Sequence, residues 1–322
     1  MPATLTPGTA GGPARGGPGI GLALGFASHA LAGLSPFIVA AVITRTGLLP
    51  GTALVYSLGT VCLVTLLVVP GARRLVDEWT RTFATPRWRV AFASTLAGFL
   101  IAGVAFYVGL SRSARVAEYV FLSRLDWIVQ APVAILILRE PWTLRGLAGA
   151  AVALAGGILI VWSGAVGSSG LTAATVYIVA SSAAYLGARR IAVAGGLAAA
   201  AVLTLWRHVA NTVGFVVLAL AIAPAVPMRI DAGTIALGMF SALVLLSLFL
   251  CRFAALTRVP LWVLSAQAPV QAVVALIASR LTEGRPSSAT LVAVAMIAAG
   301  EVMVARAQAR SSSSPEARGS SR

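Results

Sequence analysis

Five polar side chains lie in apolar surroundings with the types and spacing to hold a solute: Arg124, Arg207, Asn211, Gln267 and Gln271. Two more, Asp126 and His208, are suited to carrying a coupling proton or closing a buried ion pair. Guanidinium and amide groups bind carboxylate or phosphate by charge-assisted hydrogen bonds, and a lone His or Asp can exchange a proton. Arg207 and Asn211 are four residues apart, and His208 and Asn211 three apart, so one helix face would carry several donors. Gln267 and Gln271 are likewise one turn apart. Arg124 and Asp126 are two apart, about 200° around a helix, so they cannot pair with each other on one face.

The surroundings make these residues informative. Hydrophobic residues are 59% of the 322, and charged residues only 10%. Mean hydropathy is +0.93. A globule in water needs more polar surface than that. Apolar segments recur at 18–41, 50–70, 88–110, 116–138, 143–164, 170–188, 196–223, 232–254, 258–281 and 288–306. Most approach the roughly 20 residues that cross a bilayer as helix. The expected fold is an all-α polytopic membrane protein with ten transmembrane helices, flanked by tails 1–17 and 309–322 that are too polar and too low in complexity to fold. An ionisable group deep in such a segment faces the bundle interior, pairs, or lines a solute path.

A repeat organises the segments. Moving residues 105–161 forward by 143 positions without a gap aligns Phe106 with Phe249, Arg115 with Arg258, Glu140 with Glu283 and Gly157 with Gly300. The polar breaks coincide in the same frame, which predicts two copies of one unit, 18–164 and 170–306. Arg124 falls on Gln267, so both are expected to face a cavity from equivalent helices, with Gln271 continuing the stripe. Asp126 is expected to turn toward a neighbouring helix or to act as a protonatable coupling group. Placing the arginines outside the spans on alternate sides puts fifteen on the side of both termini and six on the other. The positive-inside rule then makes both termini cytoplasmic. With five helices in each copy, the second copy must insert upside down relative to the first.

Other classes lose support on the same residues. The net charge of +15 comes entirely from arginine, mostly in the breaks, so it indicates membrane topology rather than nucleic acid. Without lysine there is neither a Walker phosphate loop nor a Schiff-base cofactor, so no cofactor is expected. Cys62 and Cys251 are far apart inside apolar runs, and two histidines on separate segments do not make a metal site. The remaining polar residues have plainer expected roles. Arg252 and Glu118 are near segment ends, where they can reach the interface. Glu301 is expected to pair with an arginine. Glu140 and Glu283 open the loops into segments five and ten, where an acid complements the positive end of the next helix.

Two five-segment halves, the Gly-containing first segment with Leu31-Ala32-Gly33-Leu34-Ser35-Pro36, the acidic breaks at Arg139-Glu140-Pro141 and Thr282-Glu283, and small-residue fifth and tenth segments resemble the drug/metabolite transporter superfamily, specifically its EamA-like family. The resemblance covers nearly all of 18–306. It implies secondary transport, including export, of a small organic metabolite or drug by alternating access, usually across the bacterial inner membrane. The internal arginines favour an anionic or zwitterionic solute. A non-transporting membrane scaffold and an intramembrane enzyme are the alternatives, the latter lacking a catalytic constellation.

Overall fold

The computed structural model describes residues 18–82, 85–123, 125–126, 129–130, 144–162, 166–222, 230–259, 261, 264, 267–284 and 286–313. Every element among them is helical: α1 (Pro18–Thr46), α2 (Leu48–Leu66), α3 (Pro70–Thr82), α4 (Pro86–Arg112), α5 (Val116–Ser123), α6 (Leu144–Trp162), α7 (Ser168–Ile222), α8 (Ala232–Leu256), α9 (Ala268–Thr282) and α10 (Ser288–Ser313). Five of them, α1, α2, α4, α7 and α8, are long and apolar enough to cross a membrane. Shorter apolar helices occupy Leu144–Ile160, Ala268–Thr282 and Ser288–Gly300. A helix is the economical solution in lipid because it satisfies its own backbone groups.

Local chemistry sets the breaks. Gly47, with φ of 87°, turns the chain between α1 and α2. Pro86 opens α4, where a missing N–H has no consequence. Asp231 caps α8, its Oδ1 accepting from Thr234 N at 2.6 Å. The 55 residues of α7 would extend about 80 Å if straight, well beyond roughly 30 Å of hydrocarbon. They do not run straight. Gly196 sits at φ 58°, ψ −145°, a conformation closed to residues with a β-carbon, and it divides α7 into a first arm, 168–195, and a second arm, 197–222. These arms are the segments expected at 170–188 and 196–223.

Two stretches differ from the sequence expectation. The break after the second apolar segment is not a loop but α3, an amphipathic helix whose Trp79 ring packs 4.6 Å from that of Phe92. A window scaled to membrane spans passes over such a short amphipathic turn. At the other end, α10 continues to Ser313, past the expected end of the tenth segment at 306.

Small residues bring the helices together. On the first arm of α7, Gly187 lies against Thr95 and Ala184 against Gly98, so that arm runs antiparallel to α4. The second arm runs parallel to α4, pairing Arg207 with Phe99, Asn211 with Gly103 and Phe215 with Tyr107. Meanwhile α1 packs on α8 and α9, and α2 on α7 and α8. The pair α6 and α10 forms a close antiparallel contact. A β-carbon added to Gly156 would meet the Ala293 carbonyl at 2.7 Å, and one added to Gly300 would collide with the Gly149 carbonyl. Without a hydrophobic force between helices in lipid, close backbone approach of this kind supplies the association.

Candidate functional site

A hollow lies where α1, α2, α4, both arms of α7 and α8 converge. Its wall carries the guanidinium groups of Arg207 and Arg252 together with seven aromatic rings, among them Tyr56, Tyr107, Tyr185 and Phe249. Among the described residues, no acidic side chain lines it. The cavity is about 60 Å³ when counted as space open to the centres of water molecules. Treated as a sphere and widened by a water radius of about 1.4 Å, it offers room on the order of 200 Å³. Drug-sized ligands occupy pockets of about 300–1,000 Å³. In this conformation the hollow therefore suits a small metabolite.

Arg207 is set into the wall by aromatic rings. It is 7% exposed. Its guanidinium carbon lies 3.2 Å from the Phe249 ring centroid and 5.0 Å from that of Phe99. Its Nε and Nη1 have no hydrogen-bond partner among the described residues. A desolvated cation–π contact contributes about 2 kcal/mol, whereas burying a cation without a counter-ion is unfavourable by several. The rings position the charge without neutralising it.

Arg252 has more company. It is 6% exposed; Nη1 donates to Tyr185 Oη at 3.0 Å, and Nη2 approaches His29 Nδ1 at 3.4 Å. His29 Nε2 lies 2.8 Å from the Leu264 carbonyl. A carbonyl only accepts and a guanidinium only donates, so this pattern fixes His29 as the neutral tautomer protonated on Nε2. Sequence reasoning placed Arg252 near a helix end and able to reach the interface. The structure corrects this, because α1 and α7 enclose it. The missed signal is the stripe Gly21, Gly25, His29 and Gly33, four residues apart, whose glycines let α1 lie close against the chain after α8 and the start of α9.

The other expected site residues separate. Asn211 is fully buried but off the cavity wall; its Nδ2 donates to the Arg207 carbonyl at 2.7 Å, and its Oδ1 faces Gly103. His208 puts Nδ1 2.9 Å from the Thr204 carbonyl, which makes Nδ1 the protonated nitrogen, and its ring packs against Tyr56 and Phe249. Gln267 and Gln271, expected to face the cavity, instead hold α1: their Nε2 atoms donate to the carbonyls of Leu22 at 3.0 Å and Ala32 at 3.3 Å. The glycines on α1 bring those carbonyls within reach, and the amide of Gln271, which is buried, takes the nearest acceptor. Asp126 accepts from Gln130 at 3.1 Å, and its backbone carbonyl accepts from Ser182 Oγ at 3.0 Å, which ties it to the first arm of α7. Arg124, Arg139, Glu140 and the side chain of Glu301 lie outside the described residues.

Two acids bridge helices distant in sequence. Glu118, expected at the interface, is 4% exposed and accepts from Thr290 Oγ1 of α10 at 2.8 Å. Glu283, expected to serve the helix that follows it, accepts instead from Val116 N at 2.7 Å and from Ser279 Oγ at 3.0 Å. It thus caps the first turn of α5, far back in the chain. An acid at a helix N-terminus complements the dipole wherever in sequence that helix begins.

Comparison with known proteins adds the fold and nothing finer. No protein-family model matches the chain, and no curated protein matches it. Among solved structures, 22 chains match. One, a crystal structure of a protein 18% identical in sequence, superposes with a TM-score of 0.62 over 91% of this chain and 99% of its own. This chain therefore shares its overall helical fold with a protein of nearly the same extent.

Proposed function

We propose that this protein is a secondary transporter, an exporter of a small organic metabolite, working by alternating access across the bacterial cytoplasmic membrane in the manner of the EamA-like drug/metabolite transporters it resembles. The observation that carries the reading is Arg207, buried in the wall of a hollow between the helices with donors unsatisfied among the described residues. A scaffold has no use for such a group. A site that takes and releases a solute does.

In this reading the chain crosses the membrane ten times as two inverted halves. Support comes from helix pairing that exchanges the halves. The first segment of each packs on the third of the other, α1 on α8 and the first arm of α7 on α4, while second pairs with second and fifth with fifth. Under the 143-residue shift Gly300 corresponds to Gly157, and the antiparallel contact of α6 with α10 is what a two-fold axis in the membrane plane would produce. The hollow lies where these halves meet, with both termini cytoplasmic. A solute gradient or a coupling ion would drive the cycle.

Counterflow in proteoliposomes tests the reading. A panel of labelled organic acids, amino acids, nucleosides and organic amines is offered to vesicles preloaded with the same compounds. Protein-dependent exchange of at least one, abolished in Arg207→Met, is the expected result. Absence of exchange for every compound, from vesicles whose protein is folded, would reject transport.

A further inference from the structure

The hollow's electrostatics narrow the solute further, and this inference rests on the transport reading above. We propose that the site takes a small organic anion, a monocarboxylate with a single ring or a branched apolar body, and discriminates against the corresponding amino acid.

The charge argument comes first. Two buried guanidinium groups face the hollow, and no carboxylate among the described residues lines it. An ammonium group entering it would meet two like charges and no acidic partner. A carboxylate entering it would meet the guanidinium of Arg207, whose Nε and Nη1 are buried and without a hydrogen-bond partner among the described residues, so that the solute completes them once the side chain turns from its rings. It is therefore the positive charge of an amino acid, and not its carboxylate, that the wall excludes. A zwitterion would forfeit the hydration of its ammonium without a compensating acid, and that penalty amounts to several kcal/mol in a low-dielectric site.

The second donor is Tyr185. Its Oη accepts from Arg252 Nη1 at 3.0 Å, which leaves the phenolic proton to point to a different acceptor. Tyr185 and Arg207 both line the hollow, so a carboxylate can receive from a guanidinium and a hydroxyl together. Arg252 polarises that hydroxyl and is itself held by His29. It acts on the solute through Tyr185 as a positioning residue.

The remainder of the wall selects the body. Phe99, Phe106, Phe249 and Tyr177 supply ring surface, and the space of about 200 Å³ derived above accommodates one ring with a short side chain. Phosphate esters fit less well. A phosphate carries up to two charges and three acceptor oxygens, more than the unpaired donors of Arg207 and the Tyr185 hydroxyl can satisfy.

The test uses four compounds built on one skeleton: 3-phenylpropanoate, its neutral amide, phenylalanine, which is the same acid bearing an ammonium, and phenethyl phosphate. Each is titrated by calorimetry into the full-length protein in lipid nanodiscs. The expected result is that 3-phenylpropanoate binds at least about tenfold more tightly than each of the others. Equal or tighter binding of phenylalanine, the amide or the phosphate would overturn the proposal, as would no binding of the acid. Arg207→Met gives an independent readout. Removal of an uncompensated charge should raise the melting temperature of the ligand-free protein, while the thermal shift produced by 3-phenylpropanoate disappears. If that variant fails to fold, Arg207→Lys replaces it, with an expected loss of at least about tenfold in affinity because the forked donor geometry is gone. Retained affinity in a folded variant contradicts the assignment. Failure of the two readings is distinguishable: selective binding of the acid without counterflow upholds the solute class and rejects transport. Counterflow of a cationic or neutral solute that persists in Arg207→Met does the reverse.

Discussion

The guanidinium carbon of Arg207 lies 3.2 Å from the centroid of the Phe249 ring, closer than its 5.0 Å approach to Phe99. Phe249 is on α8 and Arg207 on the second arm of α7, so the contact sets the charge by joining two helices rather than by a turn of one. Phe249→Leu keeps an apolar filling and removes the π face. The half-saturating solute concentration for counterflow should rise about 2- to 30-fold, the equivalent of a cation–π contact of about 0.5–2 kcal/mol. An unchanged value would mean that the ring merely fills space.

Glu283 gives a prediction about assembly. Its carboxylate caps Val116 N at 2.7 Å and so ties the chain after α9 to the start of α5. Glu283→Ala should destabilise the protein by about 0.5–2 kcal/mol, as loss of a helix cap does, with faster hydrogen exchange at the Val116 amide. Unaltered exchange at that amide would show that the cap is dispensable.

These two contacts also show what one sequence discloses. Arg207 stands out because a cation in the middle of an apolar segment must face inward, and solvation alone decides that. Glu283 stands out as a polar break, but its partner is 167 positions away, and no local pattern identifies it. Arg252 is misread for the same reason. Its surroundings are Tyr185 and His29, 67 and 223 positions away, and distance from a helix end is a poor guide to burial once another helix covers that end. Repeat symmetry misleads for Gln267 and Gln271. It fixes which positions are equivalent but not what the neighbouring helix offers, and the glycines of α1 offer carbonyls. The kink in α7 was legible as two apolar segments, whereas α3 is too short and too charged to register as a span.

A hydroxyl pair tests the movement proposed for the halves. Thr60 of α2 and Thr212 of α7 place their Oγ1 atoms 2.9 Å apart. In a background with Cys62→Ser and Cys251→Ser, the double substitution Thr60→Cys and Thr212→Cys should form a disulfide on mild oxidation, seen as a mobility shift on non-reducing gels. Oxidation should halt solute exchange and reduction should restore it. Full exchange in the crosslinked protein would show that α2 and the second arm of α7 need not part.

Asp231 governs a pH effect outside the membrane. The Thr234 N–H that it accepts, helped by the nearby Arg45, holds its carboxyl below the usual carboxylate range. Since the folded-state pKa is lower than the unfolded one, the cap contributes fully above about pH 4 and is lost as pH falls through the lowered folded value. Acidification through that window should lower the protection of the Thr234 amide in the wild type, once the pH dependence of the intrinsic exchange rate is divided out. In Asp231→Ala, protection there should already be low at neutral pH and not fall further at the acid step. Wild-type protection indifferent to pH would contradict the assignment.

Ser181 offers the most direct test of the central claim, that two antiparallel halves alternately open one Arg207-lined hollow to either face of the membrane. It lines the hollow and is 1% exposed. Ser181→Cys, made with Cys62→Ser and Cys251→Ser and reconstituted in vesicles of defined orientation, is treated with a membrane-impermeant thiol reagent from one side or the other. The account predicts slow labelling from both sides, with 3-phenylpropanoate protecting against each. Labelling from a single side whatever the solute, or from neither, would contradict it.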